Sequence, residues 1–267
     1  MQESDKTSSS DLNILVTYIE RKTGGVQITP RRLPMLHPSI CALDAVYSIV
    51  HRYDLFDDYK AAINKGFIEN YCNYIEGTTP LLIRPTRGLE LAIGQTEDTL
   101  NNLKVLIERV TPNSFGPVVM GDNAGDGTGY KVPGTKEPKP RVVLRFLEYL
   151  LSVDLRTNTR AGLRDYVRQI DFNLKPWKSI KGIGELTFKY FCMLAGDENT
   201  IKMDIHLKRL VTCAISTRRG EKYSNSYLEK LVLAAAAQLG ISAKTLDNWL
   251  WDHARNSGLC PKCGSEH

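Results

Sequence analysis

No run of apolar residues in this chain is long enough to cross a bilayer, and Met1-Gln2-Glu3-Ser4-Asp5 lacks the basic and apolar regions of a secretory signal peptide. The expectation is a monomeric protein working without a membrane in the cytoplasm, or in the nucleus of a eukaryote. Alternation of apolar and polar residues is also scarce. Only Leu81-Leu82-Ile83 and Val118-Val119-Met120 read as strand fragments, and both are too short to organise a sheet. There is no P-loop, no dinucleotide fingerprint and no internal repeat, which removes the commonest nucleotide-binding classes and the solenoids. Cysteines number six, at 41, 72, 192, 213, 260 and 263. The first four lie within apolar, helix-like runs, so they read as small buried hydrophobes with reduced thiols.

What the chain has in quantity is helical periodicity. Segments 11–22, 39–53, 56–75, 88–110, 141–153, 159–170, 185–195, 205–216, 224–239 and 242–255 predict helices, with Pro38 ahead of one, Gly240 as a stop and Ser242 as a cap. The predicted fold class is all-α. With 42% apolar content, 267 residues can bury one sizeable core or two smaller lobes. Gly121 to Pro140 interrupts the pattern with five glycines and three prolines, and predicts a surface loop carrying Lys131, Lys136 and Lys139. Its Asp122 and Asp126 do not make a calcium loop, because Ala124 and Pro133 occupy positions that need oxygen ligands.

The net charge of +5 is unevenly spread. Residues 1–130 hold 12 Lys and Arg against 16 Asp and Glu, whereas residues 131–267 hold 23 against 14. In the basic half Arg156, Arg160, Arg164 and Arg168 recur every four residues, a stripe that could follow phosphates or form an ordinary solvated face.

The same half contains Ile180-Lys181-Gly182-Ile183-Gly184-Glu185-Leu186-Thr187, followed by Asp204-Ile205-His206-Leu207-Lys208-Arg209. Two glycines around one apolar residue, just before a helical run, present backbone N–H groups at a helix N-terminus, which suits one phosphate. Asp204 then stands at the start of the next helix, as a good N-cap would, in a place that favours negative charge. Separately these are a tight turn and a cap; in series they have few accidental matches.

This combination resembles the helix-hairpin-helix DNA glycosylases, the superfamily that includes endonuclease III and the adenine and 8-oxoguanine glycosylases. The match is strong over residues 178–210, with shorter matches at Ala42–Ser48 and Leu246–Trp251. The resemblance implies two helical lobes around a DNA-binding cleft. A central lobe of 39–200 would carry the hairpin, 10–38 with 201–255 would form the second lobe, and 256–267 would be a tail. The implied contacts to the DNA backbone come from Lys181, Gly182, Ile183, Gly184, Thr187 and Lys189, with a monovalent cation held by hairpin carbonyls. Asp204 would be the catalytic carboxylate. The partner would be double-stranded DNA carrying a damaged or modified base, and the 121–140 loop would settle on it. His51, Arg52 and Tyr53 fall where relatives insert a wedge into the duplex.

A glycosylase must rotate its target nucleotide out of the stack, and base departure develops positive charge on the deoxyribose. A carboxylate close to C1′ stabilises that charge and can orient the incoming water. Bifunctional members use a lysine two residues after the second hairpin glycine. Position 186 here is Leu, so the resemblance implies a monofunctional hydrolase that leaves an abasic site and needs no cofactor for its chemistry. The alternative is a DNA-binding protein without catalysis, with Asp204 only a cap.

At the C-terminus His253, Cys260, Cys263 and His267 place four donors within fifteen residues. Some relatives bind a four-cysteine iron-sulfur cluster near this end, and the gaps of six and two residues recur here. The mixed nitrogen and sulfur set suits a structural zinc better than a cluster, the other reading being an unused C-x-x-C in a tail.

Overall fold

The computed structural model describes residues 8–29, 37–49, 83–86, 88–91, 99–115, 131–132, 134–216 and 222–256. These carry ten α-helices: α1 (Ser9–Thr23), α2 (Pro38–Tyr47), α3 (Leu100–Val110), α4 (Pro112–Phe115), α5 (Lys139–Val153), α6 (Arg160–Arg168), α7 (Glu185–Leu194), α8 (Ile205–Ile215), α9 (Asn225–Gln238) and α10 (Ala243–Asn256). Among them are two antiparallel hairpins, β1 (Ile83–Thr86) with β2 (Gly88–Leu91) and β3 (Lys131–Val132) with β4 (Glu137–Pro138), and three 3-10 turns. The protein is mostly helical, as its periodicity predicts. It divides into two compact units, one made of Met1–Arg31 and Glu198–His267, the other of Arg32–Asp197.

The first unit joins α1 to α8, α9 and α10. Ser8 caps α1 by accepting the Asp11 N–H, and Gly24, at φ 62°, closes it with a left-handed residue that costs glycine nothing. Leu15, Val16 and Ile19 then fall on one face and are buried with Leu207, Leu210, Val211, Leu228, Leu231 and Leu246. Tyr227 Oη donates to Asp11 Oδ2 at 2.5 Å, tying α9 to α1. Gly240 ends α9 in the left-handed region, and Ser242 Oγ accepts the Thr245 N–H at 3.2 Å to open α10.

In the second unit every residue of α2 except Asp44 is buried, which its run Ile40-Cys41-Ala42-Leu43-Asp44-Ala45-Val46-Tyr47 requires. It packs against α3, α5 and α7. Phe146, Phe188 and Phe191 fill the centre, with the Phe146 and Phe191 rings edge-on at 4.7 Å, a contact worth about 0.5–1.5 kcal/mol beyond burial. Asp44 Oδ2 accepts the Tyr190 hydroxyl at 3.0 Å. Gly162 is a packing requirement: a Cβ there would lie 2.1 Å from the Arg156 carbonyl oxygen, so α6 can reach the preceding 3-10 turn only without a side chain.

Several sequence expectations change. The helix expected over 39–53 stops at Tyr47, and the one expected over 88–110 starts at Leu100, where Thr99 Oγ1 accepts the Asn102 N–H at 3.1 Å. Its first part is instead β2, with Leu91 paired to Ile83. The 121–140 loop is replaced at its end by the β3–β4 hairpin and the first turn of α5. Lys139, expected on that loop, is fully buried, with Nζ donating to the Tyr47 carbonyl at 2.8 Å. Cys41 and Cys192 are buried free thiols, but Cys213, read as another of the same kind, is disulfide-bonded on the partly exposed side of α8. The predicted helix over 56–75 and the fragment at 118–120 lie outside the described residues.

Candidate functional site

The glycine turn is fixed from below and open above. Ile180 and Ile183 are buried, and the Ile183 N–H donates to the Ile180 carbonyl at 3.0 Å, which closes the loop. Gly182 has φ 97°, and a Cβ on it would meet the Val142 methyls at 2.8 and 3.0 Å, so the turn rests directly on α5. Gly184 is the N-cap of α7 and has no side chain to accept a bond. Among the described residues nothing accepts the N–H groups of Gly184, Glu185, Leu186 or Thr187. The first three of these residues are exposed, so α7 offers a fan of backbone donors to solvent.

Lys181, next to this fan, is 65% exposed and its Nζ lies 3.2 Å from Glu137 Oε1. The same carboxylate takes the fork of Arg145, Nη2 to Oε1 at 3.0 Å and Nη1 to Oε2. The Arg145 hydrogen bonds, with those of Lys181 behind them, hold the Glu137 carboxyl down at about 2. Lys189 is different. Its side chain is 7% exposed, with Nζ 2.8 Å from Glu185 Oε1, whose side chain is 51% exposed, and over the Phe172 ring. One helical turn separates it from Glu185, so the two form an i,i+4 pair in which the ammonium reaches from a buried stem toward the exposed carboxylate. Thr187 is half-buried, and Leu186 is 40% exposed.

In the other unit Asp204 is the N-cap of α8. Its Oδ1 accepts the N–H of His206 at 2.9 Å and of Leu207 at 3.0 Å. Oδ2 receives no bond from the described residues, and the residue is half-buried. Behind it stands Asp247, which the sequence reading did not single out. Its Oδ1 accepts the Lys202 N–H at 2.9 Å, and the Lys202 carbonyl accepts the Asp204 N–H at 2.7 Å, so a buried carboxyl braces the turn that presents Asp204. Burial, reinforced by the charge of Asp204, pushes Asp247 up to about 8 against the pull of the Lys202 N–H. The available signal was an acid one residue after Leu246 and three before Leu250, on a helix whose Leu246 and Leu250 are core residues. Among the described residues nothing bonds to the buried Nδ1 of His206.

His253 stacks on Trp249 at 5.1 Å, and its Nε2 lies 3.2 Å from the Tyr18 hydroxyl. Its expected metal partners Cys260, Cys263 and His267 lie outside the described residues. Among those described, no three His, Cys, Asp or Glu converge on one point. The arginine stripe is broken up: Arg156 pairs with Asp154 at 2.7 Å, and Arg164 has a buried Nε that no described residue bonds, whereas Arg160 and Arg168 are exposed. His51, Arg52 and Tyr53 are outside the described residues. A groove of about 530 Å³ in the first unit, lined by Lys22, Gln27, Thr245, Asn248, Trp249 and Asp252, does not include Asp204.

No helix among the described residues is long and apolar enough to cross a membrane. No curated protein and no solved structure matches the chain. A family model does match, over residues 13–255, and the chain accordingly belongs to the family described as domain of unknown function DUF8548.

Proposed function

We propose that this protein is a DNA N-glycosylase that extrudes a damaged or modified base and hydrolyses its N-glycosidic bond. The observation that carries the reading is the state of Asp204: two backbone N–H groups fix Oδ1, while Oδ2 has no bond from the described residues. A carboxylate oriented in this way can stand beside C1′ of a rotated nucleotide. As the C1′–N bond breaks, its electron pair leaves with the base and the sugar becomes cationic; Asp204 stabilises that charge while water adds at C1′ and gives up a proton. The open N–H fan of α7, with Lys181 and Gly182 to Gly184, supplies the grip on a backbone phosphate. Carbonyl oxygens of the same turn are the groups through which a monovalent cation would assist. Leu186 offers no amine for Schiff-base chemistry, so the product is an intact strand with an abasic site.

A non-catalytic DNA-binding protein is the second reading, favoured by the fact that the two cap bonds alone account for an aspartate at position 204. Asp204→Asn separates the two, because asparagine caps a helix about as well but carries no charge. The purified protein is incubated with duplexes that each carry one altered base, followed by alkali, and binding is followed by fluorescence anisotropy. We expect base release by the wild type, at least a hundredfold slower release by the variant, and unchanged binding. Absence of release from every duplex, or release that survives in the variant, overturns the catalytic reading. Strand breaks without alkali overturn the monofunctional one.

A further inference from the structure

The carboxylate that engages Lys181 belongs to the β3–β4 hairpin, a part of the second unit that the proposed chemistry leaves without a role. The hairpin is held firmly. Lys131 pairs with Pro138 and Val132 with Glu137, Val132 is buried, and the Lys136 N–H donates to the Val132 carbonyl at 3.1 Å. Thr135 Oγ1 both donates to the Val132 carbonyl and accepts the Glu137 N–H. At its tip Lys136 takes φ 57°, a left-handed conformation that strains a residue with a side chain and would not strain glycine.

Two contacts fasten this hairpin and the start of α5 to the glycine turn. Glu137 bridges Arg145 and Lys181, and Gly182 rests on Val142. The surface so joined is strongly basic: residues 131–145 and 175–184 together contain eight Lys and Arg and one acid, Glu137. Lys139 is buried, and Arg145 and Lys181 share the single carboxylate of Glu137, which leaves one positive charge over. Lys131, Lys136, Arg141, Lys175 and Lys178 are exposed, and none is paired with an acid among the described residues. Among the described residues of 131–145 and 175–184 no large apolar side chain is exposed, although Leu174 and Leu186, just beyond the ends of the second stretch, are. A polyphosphate backbone fits this density of unpaired cations.

We infer that the β3–β4 hairpin and Arg141 form a second phosphate-binding arm, clamped to the glycine turn by Glu137, so that the protein holds a nucleic-acid backbone along two neighbouring stretches. The inference rests on the DNA-binding part of the proposed function and extends it to residues outside the turn. Each cation that meets a phosphate contributes about 0.9 to the slope of log affinity against log salt. The test is that slope for the full chain on an unmodified duplex, measured by fluorescence anisotropy over a series of KCl concentrations. Lys131→Ala/Lys136→Ala/Arg141→Ala should lower it by about 2.7, Lys181→Ala by about 0.9, and Lys104→Ala on α3 should not change it. Lys131→Arg/Lys136→Arg should keep the wild-type slope. If Lys181→Ala lowers the slope and the triple variant does not, the hairpin is away from the backbone and this inference fails while the DNA reading stands. If the wild type fails to bind duplex, or binds only vesicles of anionic lipid, both fail together.

Discussion

Asp247 is an acid kept without its charge. Its carboxyl, pushed up to about 8 by burial and by Asp204, is protonated at neutral pH in the folded protein and ionised in the unfolded chain above about 4. Between those values the folded state binds the extra proton, so its contribution to stability is complete below about 4 and is lost as pH rises through 8. The charges that act on it are Asp204 and Glu229, which oppose ionisation, and Lys202, which favours it. Asp247→Asn keeps an oxygen for the Lys202 N–H and removes the titration. We expect the variant to gain stability relative to wild type, by a few kcal/mol, as pH is raised from 5 to 9. Urea unfolding of both proteins across that range measures it, and parallel curves would contradict the assignment. The same substitution should leave base release at pH 7 within a few-fold of wild type, because the brace behind Asp204 survives.

Turns and helix ends hold the next level together, and three glycines differ sharply there. Gly162→Ala places a Cβ 2.1 Å from a backbone oxygen, so α6 or the 3-10 turn must shift; a loss of about 1–3 kcal/mol is expected. Gly182→Ala meets Val142 methyls, which can give, but φ 97° adds strain of about 1–3 kcal/mol. Gly184→Ala meets nothing within 4 Å at φ −96° and should change stability by less than about 0.5 kcal/mol. Denaturant midpoints of the three variants test that order. If the N–H fan of α7 grips a phosphate, Gly184→Ala should nonetheless weaken duplex binding, since the new methyl stands at the mouth of the fan.

The first unit is built from two lengths of chain, and α1 supplies Leu15, Val16 and Ile19 to a core whose other members follow residue 200. Burial of each such side chain is worth about 1.5–3 kcal/mol, so the three together rival the stability of a small domain. Deletion of residues 1–24 should therefore unfold α8, α9 and α10 and leave α2, α5 and α7 folded; amide hydrogen exchange, read helix by helix, decides it. The all-α character and most helix limits were legible because caps and stops are local: Thr159, Ser224 and Gly240 act on neighbours a few residues away. Less legible was anything decided across distance. Gly88–Leu91 reads as the start of a helix until Ile83 is known to pair with Leu91, and Lys139 reads as solvent-exposed until the Tyr47 carbonyl is found beside it. In the candidate site the capping role of Asp204 and the special backbone of Gly182 follow from nearest neighbours. The bond between Glu137 and Lys181 spans 44 residues and the brace from Asp247 to Lys202 spans 45, so neither leaves a periodic trace.

The split construction of the first unit also sets an order of events at the ribosome. Residues 24–204 must be translated after α1 before its partner α8 begins to emerge, a delay of roughly 10–40 s at ordinary elongation rates. Throughout that interval the second unit can complete itself, while the apolar stripe of α1 waits without a partner and is available to chaperones that hold nascent chains.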